Sequence, residues 1–289
     1  MYIIENDRLE VQVQSRGAEL QRIFDKKHGL EYLWSGDPAF WGKKSPVLFP
    51  IVGALKDDTY YFQGRPYTLT RHGFARDKDF RVRDQRPGIL ELELVSDEST
   101  LLQYPFFFQL VISYRLEPEG ISVGYTVRNQ GGSALYFSVG GHPAFRVPLA
   151  EGTGYSNYYL EFDSDPFLDR WPISPQGLIE KEPRPFSMEE NIIPLSRELF
   201  YEDALVFKRP GSTRVSLRSG RTAHGLDVDF SGFDYLGIWA ARNADFVCIE
   251  PWCGIADSVD ADQQLIHKEG INKLGPGEIF ERVWKVSFY

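Results

Sequence analysis

The chain holds only two cysteines, Cys248 and Cys253, in 289 residues. Four residues separate them, which is not a zinc spacing, and no second pair completes a site. Buried free thiols are therefore the expectation, and no metal is expected. Long apolar runs are missing, so a membrane-spanning helix is not expected. The opening Met1-Tyr2-Ile3-Ile4-Glu5 turns acidic at once, unlike a secretory leader. A cytoplasmic protein is the expected class. Positive charge is in the minority: 32 Lys and Arg against 41 Asp and Glu leave a net charge of −9, which argues against nucleic acid or an anionic membrane as partner. That balance says little about a neutral small molecule. The chain has no Walker-type or dinucleotide-type glycine loop, no His-Glu-x-x-His and no Gly-x-Ser-x-Gly. The common nucleotide, zinc-protease and serine-hydrolase readings fall away. What survives is acid–base chemistry on a small molecule, with no cofactor implied.

What the chain has in quantity is alternation. Leu9, Val11 and Val13 alternate with polar neighbours, as do Leu90, Leu92 and Leu94, then Ile121, Val123, Tyr125 and Val127, then Trp284, Val286 and Phe288. Each run places apolar side chains on one face of a strand. Residues 109–129 read as a hairpin closed at Glu117-Pro118-Glu119-Gly120. Helical pattern is scarce; residues 97–104 and 187–190 each fit one short turn. Residues 149–194, rich in Pro, Asp and Ser and weakly periodic, read as long connections rather than a domain boundary. No repeat or linker divides the chain. The architecture that fits is all-β: a large antiparallel β-sandwich forming one domain over residues 1–289. Aromatic residues reach 15%, and strand packing accounts for most of them, leaving a few to line a binding site.

Three clusters put ionisable residues beside turn residues at strand ends. In Arg71-His72-Gly73-Phe74-Ala75-Arg76-Asp77 two arginines flank a histidine; a solvated loop with the arginines paired to Asp77 or Asp79 is the plainer alternative to a binding role. In Gly140-Gly141-His142-Pro143 the glycines admit close backbone approach and the proline fixes the chain just after the histidine. In Cys248-Ile249-Glu250-Pro251-Trp252 a glutamate ends an apolar strand, where a carboxylate is costly to bury unless partnered or put to use, and Trp252 offers a stacking face. A solvent-facing glutamate on an edge strand is the alternative there.

With Ser45-Pro46-Val47-Leu48-Phe49-Pro50 upstream and Tyr235-Leu236-Gly237-Ile238-Trp239 between the last two clusters, the chain resembles the aldose 1-epimerase (galactose mutarotase-like) family, in its LacX-like branch. The resemblance runs from Gly17-Ala18-Glu19-Leu20 to the last strand. It implies a β-supersandwich with a sugar in an open cleft, Glu250 as general base and His142 as general acid. It implies His72 and Asp203 as sugar-binding residues. Galactose mutarotases carry an arginine in the loop where this chain reads Gly53-Ala54-Leu55-Lys56-Asp57, so the resemblance leaves two alternatives: Lys56, Arg71 or Arg76 supplies that cation, or the contact is missing. The implied activity is interconversion of aldose anomers by a monomer or homodimer. A hexose-6-phosphate mutarotase and a non-catalytic sugar-binding protein on the same fold are the alternatives.

Overall fold

The alternating runs are strands, and their apolar faces are where the core lies. In the computed structural model, which describes residues 1–165 and 167–289, Leu9, Val11 and Val13 are buried along Leu9–Val13 while Glu10 and Gln12 are half-exposed. The same in–out pattern holds along Ile89–Val95 and along the inner half of Ile279–Phe288. Phe108–Glu117 and Gly120–Asn129 pair over their whole length, from Phe108 opposite Asn129 to Glu117 opposite Gly120, leaving Pro118-Glu119 as the turn.

Two large antiparallel sheets carry the fold, one of nine strands and one of eight. In the nine-stranded sheet the centre is Ile279–Phe288, which pairs with Gly120–Asn129 on one side and with Leu226–Asp229 on the other. The eight-stranded sheet centres on Phe246–Cys253, paired with Tyr235–Trp239 on one side and with the two short strands Val139–Gly141 and Ala144–Arg146 on the other. Residues of both sheets share one apolar core. The approach is close at Gly141 of the second sheet: a Cβ there would lie 2.7 Å from the Tyr125 hydroxyl and 3.2 Å from the Trp284 indole nitrogen of the first. A four-stranded sheet over the first 31 residues and two small two-stranded sheets complete the scaffold.

The turn expected within residues 97–104 is Glu98–Leu101, capped by Asp97, whose side chain accepts the Thr100 N–H while the Thr100 hydroxyl accepts the Asp97 N–H. The turn of helix expected over residues 187–190 is not there. Ser187 ends the strand Arg184–Ser187, and Glu190 and Asn191 both take positive φ, 51° and 63°, the conformation of a tight hairpin turn rather than a helix. Residues 149–194 are more than connection: Tyr158–Phe162, Phe167–Arg170, Arg184–Ser187 and Ile192–Pro194 all lie within them. Cys248 and Cys253 are buried free thiols. Among the described residues no helix is long and apolar enough to cross a membrane.

Candidate active site

Strand register brings the second and third clusters together. On one side of Phe246–Cys253, Gly140 lies opposite Trp252 and Ala144 lies opposite Cys248. The ladder is broken between them, where Pro143 has no N–H to give. The same register continued through the break sets His142 opposite Glu250. Their side chains meet there, Nε2 of His142 lying 3.3 Å from Oε2 of Glu250, with Glu250 only 1% and His142 8% exposed. On the other side of the strand the residue opposite Glu250 is Gly237, and a Cβ at that position would overlap the Trp252 indole. The glycine thus makes the bed in which that ring lies beside the carboxylate.

The His142 imidazole is packed on several sides. Trp41 stacks on it at 4.9 Å between ring centroids, and Trp239 and His72 stand edge-on to it, each at 5.6 Å. His72 sits at φ 69°. Its N–H donates to the Gly53 carbonyl, and its Nδ1 accepts the Gly53 N–H at 3.1 Å. A ring that accepts at Nδ1 carries its proton on Nε2, so His72 is a neutral donor.

These groups border a cavity of about 270 Å³ whose wall also includes Arg71, Arg76, Asp203 and Trp252. The Arg76 guanidinium donates to the Arg71 carbonyl at 2.8 Å, and that of Arg71 reaches to 3.7 Å from the Asp203 carboxylate. Gly177 leaves room for the Arg71 guanidinium, which a Cβ there would strike. Asp77 lies 3.7 Å from Arg76. Lys56 is not among the bordering residues: its N–H donates to Asp257 and its carbonyl accepts from Gln263.

Burial sets the electrostatics. It pushes the His142 imidazolium down to about 3, with the Arg76 and Arg71 charges acting in the same direction. It holds His72 well below its ordinary value, again with help from neighbouring positive charge. It raises the Glu250 carboxyl well above the usual carboxylate range, and the nearby Asp203 charge adds to this. Glu250 Oε2, His142 Nδ1 and Trp252 Nε1 are buried with no hydrogen-bond partner among the described residues. All three belong to residues that border the cavity. Donor atoms of His142, Cys248 and Glu250 lie within 4.8 Å of one another, the one such group found among the described residues that a metal ion could use. Burial raises the Cys248 thiol well above its ordinary value, which keeps it protonated and a poor ligand.

One wall depends on a buried ion pair that sequence reasoning did not single out. Lys268 donates to Asp257 at 2.7 Å, both side chains being almost fully buried. Asp257 also accepts the Lys56 N–H on its other oxygen, gives its own N–H to Ala54, and receives the Ile179 N–H at its carbonyl. It ties three loops whose residues Gly53, Ile179 and Ala256 border the cavity. Trp41, Ile173 and Gly177 were also missed. They sit in loops, and no pattern in the sequence separates Phe40-Trp41-Gly42 from any other aromatic loop.

A family model described as aldose 1-epimerase matches residues 1–266. The LacX protein of Lactococcus lactis subsp. lactis, in its chromosomal form, is 32% identical over 293 residues, covering 98% of each chain. Among solved structures, a galactose mutarotase related enzyme from Lactobacillus acidophilus superposes with a TM-score of 0.96 at 34% identity, covering 100% of this chain and 97% of its own. A galactose mutarotase-like protein from Lactobacillus casei gives 0.93 at 31% identity over the whole of both chains.

Proposed function

Because the chain belongs to the aldose 1-epimerase family, we propose that it is a mutarotase, exchanging the α and β anomers of an aldose through ring opening and closure. The observation that carries this reading is the opposed pair His142 and Glu250, 3.3 Å apart and both bordering the cavity. Glu250 takes the proton of the C1 hydroxyl, His142 gives a proton to the ring oxygen, and the C1–O5 bond breaks to leave the open aldehyde. Rotation about C1–C2 turns the other carbonyl face to the ring-closing hydroxyl, and the transfers run backward. Each transfer is worth roughly 10²–10⁴-fold.

The shifts oppose the charge state from which ring opening starts and favour the one it reaches. With cyclic sugar bound, the shared proton is on His142 and Glu250 is ionised. With the aldehyde open, the proton is on Glu250 and both groups are neutral. Burial favours neutral groups, so the environment that raises Glu250 and lowers His142 stabilises the ring-opened state. His72 Nε2–H, Asp203, Arg71 and Arg76 hold the sugar hydroxyls, and Trp252 supplies an apolar surface.

Polarimetry on fresh α-glucose and α-galactose tests the reading. The protein accelerates the approach to equilibrium, and His142→Asn or Glu250→Gln lowers kcat by roughly 10²–10⁴-fold with an unchanged circular dichroism spectrum. A variant that keeps near wild-type kcat removes its residue from the mechanism. A phosphosugar reading has one observation in its favour: two guanidinium groups border the cavity, and that of Arg71 has no carboxylate nearer than 3.7 Å among the described residues. It requires a kcat/KM for glucose 6-phosphate above that for glucose, a preference that salt and Arg76→Ala both abolish.

A further inference from the structure

Cys248 has no part in the proposed proton transfers, yet it stands beside both groups that make them. It lies two residues before Glu250 on Phe246–Cys253 and so turns its side chain to the same face of the strand. One donor atom from each of Cys248, Glu250 and His142 lies within 4.8 Å of the other two, and all three residues are buried. Glu250 Oε2 and His142 Nδ1 have no hydrogen-bond partner among the described residues. His142 and Glu250 border the cavity, so an ion reaches them from there, while Cys248 is wholly enclosed behind them. We infer that these three side chains form a binding site for a soft or borderline divalent ion of the zinc and cadmium class. Resting on the mutarotase reading, the ion switches off anomer exchange by occupying His142 and Glu250.

The donor set selects the ion. Thiolate, imidazole and carboxylate are the ligands that zinc takes, and three of them with the fourth position open to a cavity is a familiar zinc arrangement. Tetrahedral donors about 2.0–2.3 Å from an ion stand about 3.3–3.8 Å apart, so a group spread within 4.8 Å closes on one by small side-chain shifts. Magnesium and calcium want a shell of oxygens, and this group offers them one carboxylate. Burial keeps the Cys248 thiol protonated in the free protein. A soft ion removes that obstacle, because a coordinated thiol gives up its proton outright. The exchange balances in charge. The free group holds two protons, one on Cys248 and one shared by His142 and Glu250, and has no net charge. Binding releases both to solvent and leaves a thiolate, a carboxylate and a neutral imidazole around a divalent ion, again with no net charge. Burial penalises an unbalanced charge, so it does not oppose the exchange. With the shared proton gone, His142 has none to give and Glu250 is no longer free to take one.

The experiment titrates the protein with cadmium chloride, read by ultraviolet absorption, and with zinc chloride, read by polarimetry. Cadmium should raise a sulfur-to-metal charge-transfer band. Cys248→Ala should lack the band, and Cys253→Ala, whose thiol lies outside the group, should keep it. Glu250→Gln retains the thiol yet should need about tenfold more cadmium for the same band, a reading that requires no activity. Zinc should depress anomer exchange of the wild type, and EDTA should restore it. Cys248→Ala should exchange anomers at the wild-type rate and need about tenfold more zinc for half-inhibition. If the wild type gives no band while it turns over sugar, the ion site is overturned and the mutarotase reading stands. The same holds if the band survives Cys248→Ala, if Glu250→Gln leaves the cadmium midpoint unchanged, or if Cys248→Ala is as zinc-sensitive as the wild type. If the band depends on Cys248 and Glu250 in a protein that turns over no sugar, the ion site stands and the mutarotase reading falls. If there is neither band nor turnover, both fall.

Discussion

At the scale of single residues, the proposed chemistry rests on one proton held between His142 and Glu250. Adding a second proton means charging an imidazole that burial has pushed down to about 3. Removing the one proton means ionising a carboxyl that burial has pushed well above its usual range. Activity is therefore lost on the acid side only as pH approaches the lowered imidazole value, and on the alkaline side only above the ordinary carboxylate range. We expect kcat against pH to show no acid-side loss centred near the ordinary imidazole value of about 6.5. An acid limb centred there would mean that His142 titrates as a solvated histidine. At this scale the sequence marks both residues, His142 by its place between Gly-Gly and Pro and Glu250 by ending an apolar run before Pro251. It does not show that they face each other, because that follows from a register between distant strands. Nor does it mark Trp41, whose contact with His142 is made by a loop.

At the scale of elements, strands with strict alternation and short turns were legible, as the pairing of Phe108–Glu117 with Gly120–Asn129 illustrates. The strands within residues 149–194 were not. They run three to five residues, and two of them, Arg184–Ser187 and Ile192–Pro194, contain proline, so neither length nor composition announces them. The loops are held by something less visible still, the Asp257–Lys268 pair. Lys268→Met leaves Asp257 buried without its counter-charge, and breaking one partner of such a pair costs about 3–5 kcal/mol. Denaturant unfolding should register that loss. Sugar KM should rise more than kcat falls, because the loops bordering the cavity lose their tie while His142 and Glu250 stay on their strands. A variant with wild-type stability would show that the pair is solvated in practice.

At the scale of the whole molecule, an all-β sandwich was legible from periodicity, but the order of the strands was not: the position of Ile279–Phe288 between Gly120–Asn129 and Leu226–Asp229 leaves no local trace. Trp284 is its deepest anchor, 1% exposed, with its indole N–H donating to the Tyr125 hydroxyl at 2.8 Å. Trp284→Ala should cost about 3–5 kcal/mol, the usual price of emptying so large a site. It should also loosen the floor beneath Gly141, which packs on that indole. Equilibrium unfolding checks the first expectation, and anomer-exchange rates in the folded variant check the second.

That central strand follows in sequence every strand it joins. A ribosome delivers Gly120–Asn129 and Leu226–Asp229 long before it delivers residue 279, and until then each presents a bare edge of unpaired backbone groups of the kind that recruits other chains. Between residue 229 and residue 279 the nascent polypeptide therefore carries two half-sheets that cannot yet close. Ribosome-bound chains stalled before residue 279 should be cut readily by protease, and chains released after it should resist. Early resistance would mean that some other segment stands in for the missing strand while translation finishes.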